Sequence, residues 1–296
     1  MRVAIVSCED LPAWEVDDAP LFSAFGERGV EAVRVPWTQL GAGFDAALLR
    51  TPWDYADRLA AFLDWAEDFH AHTPLWHPPD VLRWNLDKRY LFELRDAGLP
   101  IAPSLLLQSD EGGRLADALR RWGVERAFLK PVVGASARHT LRFSAVDAAA
   151  AAAWMASVGE TMILQPYLEA VETQGEISAI VIDGEITHGV VKRPVPGDYR
   201  VQDDHGGTDA PLPVSASLRR LTEAAWAAAE DRLGRRLLYG RVDALSLATG
   251  EWVLNELEIV EPSLFFRHGP HAAGALADAF LAAAGGGDVR ARARRR

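Results

Sequence analysis

A single cysteine, Cys8, stands in a chain of 296 residues, so no intramolecular disulfide can form. That suits a reducing compartment, with the thiol expected as a small core hydrophobe. No stretch is apolar for the length that a membrane-spanning helix needs. The N-terminus opens on a strand-like run, Val3 to Val6, rather than on the charged patch and apolar core of an export signal. The expected location is cytoplasmic. Positive charge is also scarce, with a formal net charge of -11 and a pI near 5.2. A surface that holds polyanions along its length needs clustered Lys and Arg, so neither nucleic acid nor a membrane is expected as a partner. The exception is Arg290 to Arg296, a basic run after a glycine-rich break at Gly285 to Gly287, which reads as a flexible tail over 286–296. A Walker-type Gly-x-x-x-x-Gly-Lys-Ser/Thr loop is missing, as is a Gly-x-Gly-x-x-Gly after a strand, so two common nucleotide sites are excluded.

What is present is core-forming material, 49% hydrophobic residues, enough for one large domain or two to three subdomains. Residues 1–84 read as an α/β unit. Arg2 to Ser7, Ala32 to Val35 and Ala46 to Leu49 suit strands. Leu21, Phe22 and Phe25 mark one helix, and Leu59, Phe62, Leu63 and Phe69 another. Such alternation favours a parallel sheet, with ligands at the loops after the strands, around 7–14 and 50–55. The proline-rich stretch Thr73 to Asp80 reads as a connection. Beyond it the chain turns α+β. A helix passes through Lys88, Leu91 and Leu94, and short strands follow at Ser104 to Leu107, Ala127 to Lys130 and His139 to Phe143. An alanine-rich helix, Ala148 to Met155, precedes strands at Met162 to Gln165, Ile177 to Ile182 and Glu185 to Val191. Asp183-Gly184 makes the last two a hairpin. A helix over Ser217 to Leu233 leads to strands at Gly240 to Leu247 and Trp252 to Leu257, joined by a Thr249-Gly250 turn.

The candidate chemistry is spread along the chain. Lys130 and Lys192 end apolar strands, from which a lysine can extend its ammonium toward a phosphate, and Lys88 lies on the helix. After Lys130 comes Val132-Val-Gly134-Ala-Ser136, small enough for backbone N–H groups to approach an oxyanion. Arg241-Val-Asp243 and Asn255-Glu256-Leu-Glu258 lie on paired strands, where residues two apart share a face. Three carboxylates and one guanidinium can therefore meet. A divalent ion with a taste for oxygen, Mg²⁺, would relieve their repulsion; a solvated face of ion pairs would do so as well. His70, His72 and His77 do not share a face in a way that suits zinc. Trp14 and Trp53 stand on loops at strand ends, where a substrate could sit, with Arg50 and Asp54 beside them. Asp54 also suits a helix N-cap. Ser263, Arg267 and His268 follow the acidic strand closely.

Taken in order, the three lysines, the small-residue loop, the Arg-x-Asp strand and the Asn-Glu-x-Glu strand resemble the ATP-grasp superfamily over about 85–280. The N-terminal unit is similar to a preATP-grasp domain. Arg50-Thr-Pro-Trp-Asp-Tyr, Arg83-Trp-Asn-Leu-Asp-Lys88, Lys130-Pro-Val-Val-Gly-Ala-Ser and Asn255 to Phe266 are most similar to a small bacterial group that includes the O-ureidoserine cyclo-ligase of cycloserine biosynthesis, an antibiotic pathway. The resemblance implies an ATP-grasp domain over 85–285 with a lid over about 104–165. It also implies an ADP-forming carboxylate–amine ligase that works through an acyl phosphate on a small carboxylate substrate. Lys88 and Lys130 would contact ATP phosphates, and Gly134 to Ser136 would cover them. Gln165 to Leu168 would read adenine through the backbone, with Glu172 on the ribose. Asp243, Glu256 and Glu258 would hold two Mg²⁺ ions, and Arg241 the moving phosphoryl group. Lys192 and Arg200 would face the acyl phosphate. Glu258 stands where the superfamily usually has asparagine, and the loop after Lys130 is poorer in glycine than in many relatives, which implies a stiffer closure. An intermolecular amino-acid or peptide ligase, a non-catalytic ATP binder and a nucleic-acid binder acting through Arg290 to Arg296 are the alternative readings, the last of which predicts steeply salt-dependent binding, and a homodimer is the expectation from base rates.

Overall fold

The computed structural model describes residues 1–11, 17–134, 137–201 and 205–285. Trp14, Ser136 and the arginine-rich tail, all singled out above, lie outside the described residues.

The first sheet is parallel. β1 (Arg2–Ser7) lies between β2 (Glu31–Pro36) and β3 (Ala46–Thr51), and β4 (Leu75–Trp76) pairs with the far side of β3. Helices α1 (Ala19–Glu27) and α2 (Leu59–His70) cover it. Both faces of β1 and β3 are buried, which is why these strands are unbroken apolar runs rather than alternating ones. The proline-rich stretch is more than a connection: it carries β4 and opens α3 (Pro79–Asn85). Proline is tolerated there because the first turn of a helix has no internal partner for its N–H. α4 (Tyr90–Asp96) follows. Lys88, expected on the helix, stands instead in the turn before it, where its N–H donates to the Val132 carbonyl at 2.7 Å.

A second, antiparallel sheet has the order β5 (Leu105–Leu107), β8 (Met162–Pro166), β6 (Arg126–Pro131), β7 (Leu141–Ser144). Two helices pack on one of its faces, α5 (Leu115–Trp122), which the sequence reading did not include, and the alanine-rich α6 (Ala148–Val158).

The third sheet begins after the short α7 (Ala170–Thr173). Its order is β11 (Thr208–Leu212), β10 (Glu185–Arg193), β9 (Glu176–Ile182), β12 (Tyr239–Ser246), β13 (Trp252–Glu258), antiparallel throughout. Asp183 and Gly184, at φ 49° and 86°, form the tight turn expected between β9 and β10. α8 (Ala216–Leu233), capped by Ser215 on the Leu218 N–H, seals one face of this sheet. α9 (His271–Gly285) packs against α1, with Phe280 edge-on to Phe25 at 5.6 Å, and so joins the first sheet to the third.

His77, weighed above for zinc, ties these parts together instead. It is fully buried, its Nδ1 bonds the Ile259 carbonyl, and its Nε2 accepts the Leu238 N–H at 2.8 Å. Its ring stacks on Tyr239 with centroids 4.6 Å apart. Among the described residues no helix is long and apolar enough to cross a membrane.

Candidate active site

The open face of the third sheet and the second sheet enclose a cavity of about 960 Å³. All three lysines of the chain line it. Strand register builds its floor. Arg241 pairs with Glu258 and Asp243 with Glu256 across β12 and β13, while Asp243 also faces Ser178 on β9, and Glu176 faces Lys192 on β10. Residues directly opposite on antiparallel strands share a face, so these side chains converge.

The outer edge of β13 would leave unpaired backbone groups beside the site. Asn85 closes part of it by donating to the Leu257 carbonyl (2.7 Å) and accepting the Ile259 N–H (3.0 Å), and the Tyr90 hydroxyl accepts the Leu257 N–H (2.8 Å). That clasp sets the position of Lys88, between the two, against Glu256 at 2.7 Å. Its Nζ also donates to the Gly134 carbonyl at 2.9 Å. The Asn-Leu-Asp-Lys segment is thus a structural clasp that delivers a cation.

The charges are paired. Arg241 grips Asp243 through Nε (2.9 Å) and Nη2 (2.9 Å), and also pairs with Glu258. Lys192 pairs with Glu176 and lies 3.3 Å from Asp243. Lys130 donates to the Asn255 carbonyl at 3.3 Å, and Asn255 donates to Glu176 at 2.7 Å. Burial raises the Asp243 pKa, but Arg241 and Lys192 outweigh it and hold this carboxyl well below the usual range. Glu256 is likewise lowered, because Lys88 and Lys130 outweigh its burial. Glu258 goes the other way. Burial, helped by Asp243 and Glu256, overcomes Arg241 and pushes it up to about 8. Burial also lowers Lys130, against the pull of Glu256 and with the push of Lys88.

Among the described residues no three carboxylate, His or Cys side chains form a ready metal cage. The three carboxylates expected to meet as metal ligands are instead shared out among cations. The donor set nevertheless fits Mg²⁺. Lys88, Lys192 and Arg241 are held by Glu256, Glu176, Asp243 and Glu258, with Lys130 beside them on the Asn255 carbonyl. A triphosphate that engages the cations strips the carboxylates of partners unless divalent ions enter with it. Mg²⁺ takes one or two carboxylates and completes its shell with phosphate oxygens and water, so no preformed cage is required.

Other expected site residues fall in two groups. Gly134, Gln165, Leu168, Trp53, Asp54, Ser263 and Arg200 line the cavity. Gln165 is anchored through Ser104 (2.9 Å), Trp53 donates to the Glu261 carbonyl (3.2 Å), and Ser263 donates to Asp17 (3.1 Å). Asp54 accepts from the Trp37 indole at 2.8 Å and pairs with Arg58. Arg50 stands outside the lining. It is 1% exposed, pairs with Asp18 at 2.8 Å and donates to the Pro262 carbonyl at 3.0 Å, so it ties β3 to the segment after β13. Glu172 also stands outside the lining, because the single turn of α7 presents it to Arg142 (2.7 Å) and the Tyr167 hydroxyl.

The carboxylate that does line the hinge side is Glu176, which the sequence reading missed. It lies two residues from Ser178, which faces Asp243 on β12, and the register shift between Ile186 and His188, which a count from the turn at 183–184 does not anticipate, brings Lys192 opposite it. Also missed were Glu261, raised to about 7 by burial and hydrogen-bonded to Tyr55, and, at the other end, Asp17 and Asp209, which pair with the Arg267 named above.

The sequence and the fold have known counterparts. The profile "D-cycloserine synthetase DcsG, N-terminal domain" matches residues 3–77. The cycloserine biosynthesis protein DcsG of Streptomyces lavendulae is 32% identical over 266 residues, covering 84% of this chain and 88% of that protein. This chain belongs to the DcsG family of ATP-grasp ligases. The crystal structure of D-cycloserine synthetase DcsG matches with a TM-score of 0.88 at 28% identity, over 96% of this chain and 100% of that one. The ATP-grasp ligase PsnB, complexed with a phosphomimetic variant of its minimal precursor, Mg and ADP, matches at a TM-score of 0.65 and 19% identity, over 95% and 98%. The parallel sheet followed by two antiparallel ones is thus the ATP-grasp fold, and the family makes this chain an ATP-dependent ligase.

Proposed function

We propose that this chain is an Mg²⁺- and ATP-dependent cyclo-ligase that activates the carboxylate of a small amino-acid-like molecule of the O-ureidoserine type and closes it onto its own nitrogen. The observation that carries the reading is the meeting of Lys88, Lys130, Lys192 and Arg241 with Asp243 and Glu256 in one cavity, in a chain 32% identical to a cycloserine biosynthesis protein.

Phosphoryl transfer asks a protein mainly for position and positive charge, not for a nucleophile of its own. In this reading Lys88 and Lys130 bind the triphosphate, and the Gln165 to Leu168 backbone holds the base. Arg241 steadies the phosphoryl group as a substrate carboxylate oxygen bonds to phosphorus and the bond to ADP breaks. The substrate nitrogen then bonds to the acyl carbon, inorganic phosphate leaves, and the nitrogen's proton passes to a base in the cavity or to water. Asp243, Glu256 and Glu258 would hold Mg²⁺, which, when bound, neutralises the phosphate oxygens. Lys192 and Arg200 face the acyl phosphate, and Trp53, Asp54 and Ser263 flank the organic substrate.

ADP release from Mg·ATP, measured with O-ureidoserine alone and with pairs of amino acids, tests this. Turnover on the single substrate, with a cyclic product by mass spectrometry and loss in Glu256→Ala, is the expected result. A strict need for two organic substrates would replace cyclisation with intermolecular ligation, and tight ATP binding without turnover on any carboxylate would point to a non-catalytic binder.

A further inference from the structure

The loop between β10 and β11 carries Arg200 to the cavity, and residues 198–200 form one stiff unit. The Asp198 carboxylate accepts the backbone N–H of Tyr199 (2.7 Å) and of Arg200 (3.0 Å), and pairs with the Arg200 guanidinium at 2.7 Å. What holds this unit over the cavity comes from the second sheet. The Tyr199 ring meets Phe128 of β6 edge-on at 5.2 Å, and its hydroxyl bonds Thr140 Oγ1 at 3.0 Å.

Arg142 on β7 does more. Its Nη2 donates to the Gly197 carbonyl in the loop (3.2 Å), and its Nη1 donates to Glu172 of α7 (2.7 Å) and to the Tyr167 hydroxyl (3.3 Å). The same guanidinium lies over the rings of Tyr167 at 5.2 Å and Tyr199 at 5.5 Å. Arg126 backs Tyr167 from β6 at 4.9 Å and pairs with Glu169 at 2.7 Å. One planar group thus touches its own sheet, the hinge after β8 and the loop from the third sheet. A guanidinium can do this because it offers five donors in a fixed plane and a face for aromatic rings; an ammonium offers neither.

We propose that Arg142 is a positioning residue that fastens the Arg200 loop to the second sheet, so that Arg200 is presented to the cavity only while that sheet is closed over it. The role of Arg200 rests on the ligase reading above; the fastening does not. Fastening suits an acyl phosphate, which is lost to water when a site opens early.

Trypsin cleavage after Arg200 reports the fastening without any organic substrate. It would be timed with and without Mg·ADP in the wild type, Arg142→Ala, Arg142→Lys and Tyr199→Phe, each checked for an intact fold by circular dichroism. Arg142→Ala is expected to be cut about tenfold faster, the equivalent of losing one charge-assisted hydrogen bond, and Mg·ADP is expected to slow cleavage of the wild type but not of this variant. Arg142→Lys should behave like the alanine variant, since it keeps the charge but not the bridge. Tyr199→Phe, which loses only a hydroxyl, should fall between. Wild-type cleavage rates in Arg142→Ala, or full protection in Arg142→Lys, would overturn the proposal. With O-ureidoserine as substrate, Arg142→Ala should release more ADP per product formed, with kcat for product falling more than the KM for ATP rises. If the wild type shows no ligation at all, the ligase reading fails while the cleavage comparison still decides the fastening.

Discussion

Protonation of His77 should loosen the joint between the first and third sheets. The ring is fully buried and needs an unprotonated Nε2 to accept the Leu238 N–H, while Nδ1 serves the Ile259 carbonyl. Burial, with Arg235 as an added repulsion, lowers its pKa from 6.5 to about 4 despite the bond to Ile259. A depressed folded-state pKa means that the stabilisation is complete above the unfolded value and is lost as pH falls toward the folded one. The window is therefore pH 6.5 down to about 4. Two and a half units correspond to about 3.4 kcal/mol in full, of which about 2 kcal/mol is lost between pH 7 and pH 5. Urea unfolding followed by tryptophan fluorescence would measure this in the wild type and in His77→Gln. The variant keeps a polar group in place but does not titrate, so the difference between the two curves cancels the titration of every other group. That difference should shrink by about 2 kcal/mol between pH 7 and pH 5. A difference that stays flat over this range would refute the reasoning.

Tyr90→Phe leaves the buried Leu257 N–H without its acceptor and should cost about 1–3 kcal/mol in urea unfolding; it should also raise the KM for ATP, since the same clasp positions Lys88. Gly189→Ala would place a Cβ 2.6 Å from the Leu212 carbonyl oxygen and 2.9 Å from Val214, so β10 and β11 must separate. A cost of about 1–3 kcal/mol, seen as a lowered melting temperature, is expected. Glu258→Asn removes a desolvated carboxylate from beside Asp243 and Glu256. It should raise the melting temperature without metal and weaken the activating Mg²⁺ by about tenfold, since ligand charge sets the affinity of such sites; unchanged metal titration of ADP release would exclude Glu258 from metal binding.

Most of the strands and helices were legible because each is a local pattern. The buried runs of β1 and β3, the Asp183-Gly184 turn and the alanine-rich α6 are set by side-chain period, backbone preference and propensity within a few residues. On β12 and β13 the two-residue period puts Arg241 with Asp243 and Glu256 with Glu258, but a count from the Thr249-Gly250 turn sets Asn255 against Asp243, and the register shift between Asp243 and Ala244 brings Glu256 there instead. Tertiary structure decided what depends on register shifts and distant partners. Glu176 faces the cavity because β9 pairs with β12 so that Ser178, two residues on, lies opposite Asp243, and Lys192 comes opposite Glu176 because β10 slips against β9, whereas Glu172 is presented to Arg142. Arg50 is taken up by Asp18 and the Pro262 carbonyl. His77 is held by two backbone groups more than 150 residues away in sequence. A carboxylate or guanidinium looks alike in sequence whether it meets a ligand or a neighbour, because its charge is local but the partner that neutralises it is brought by the fold.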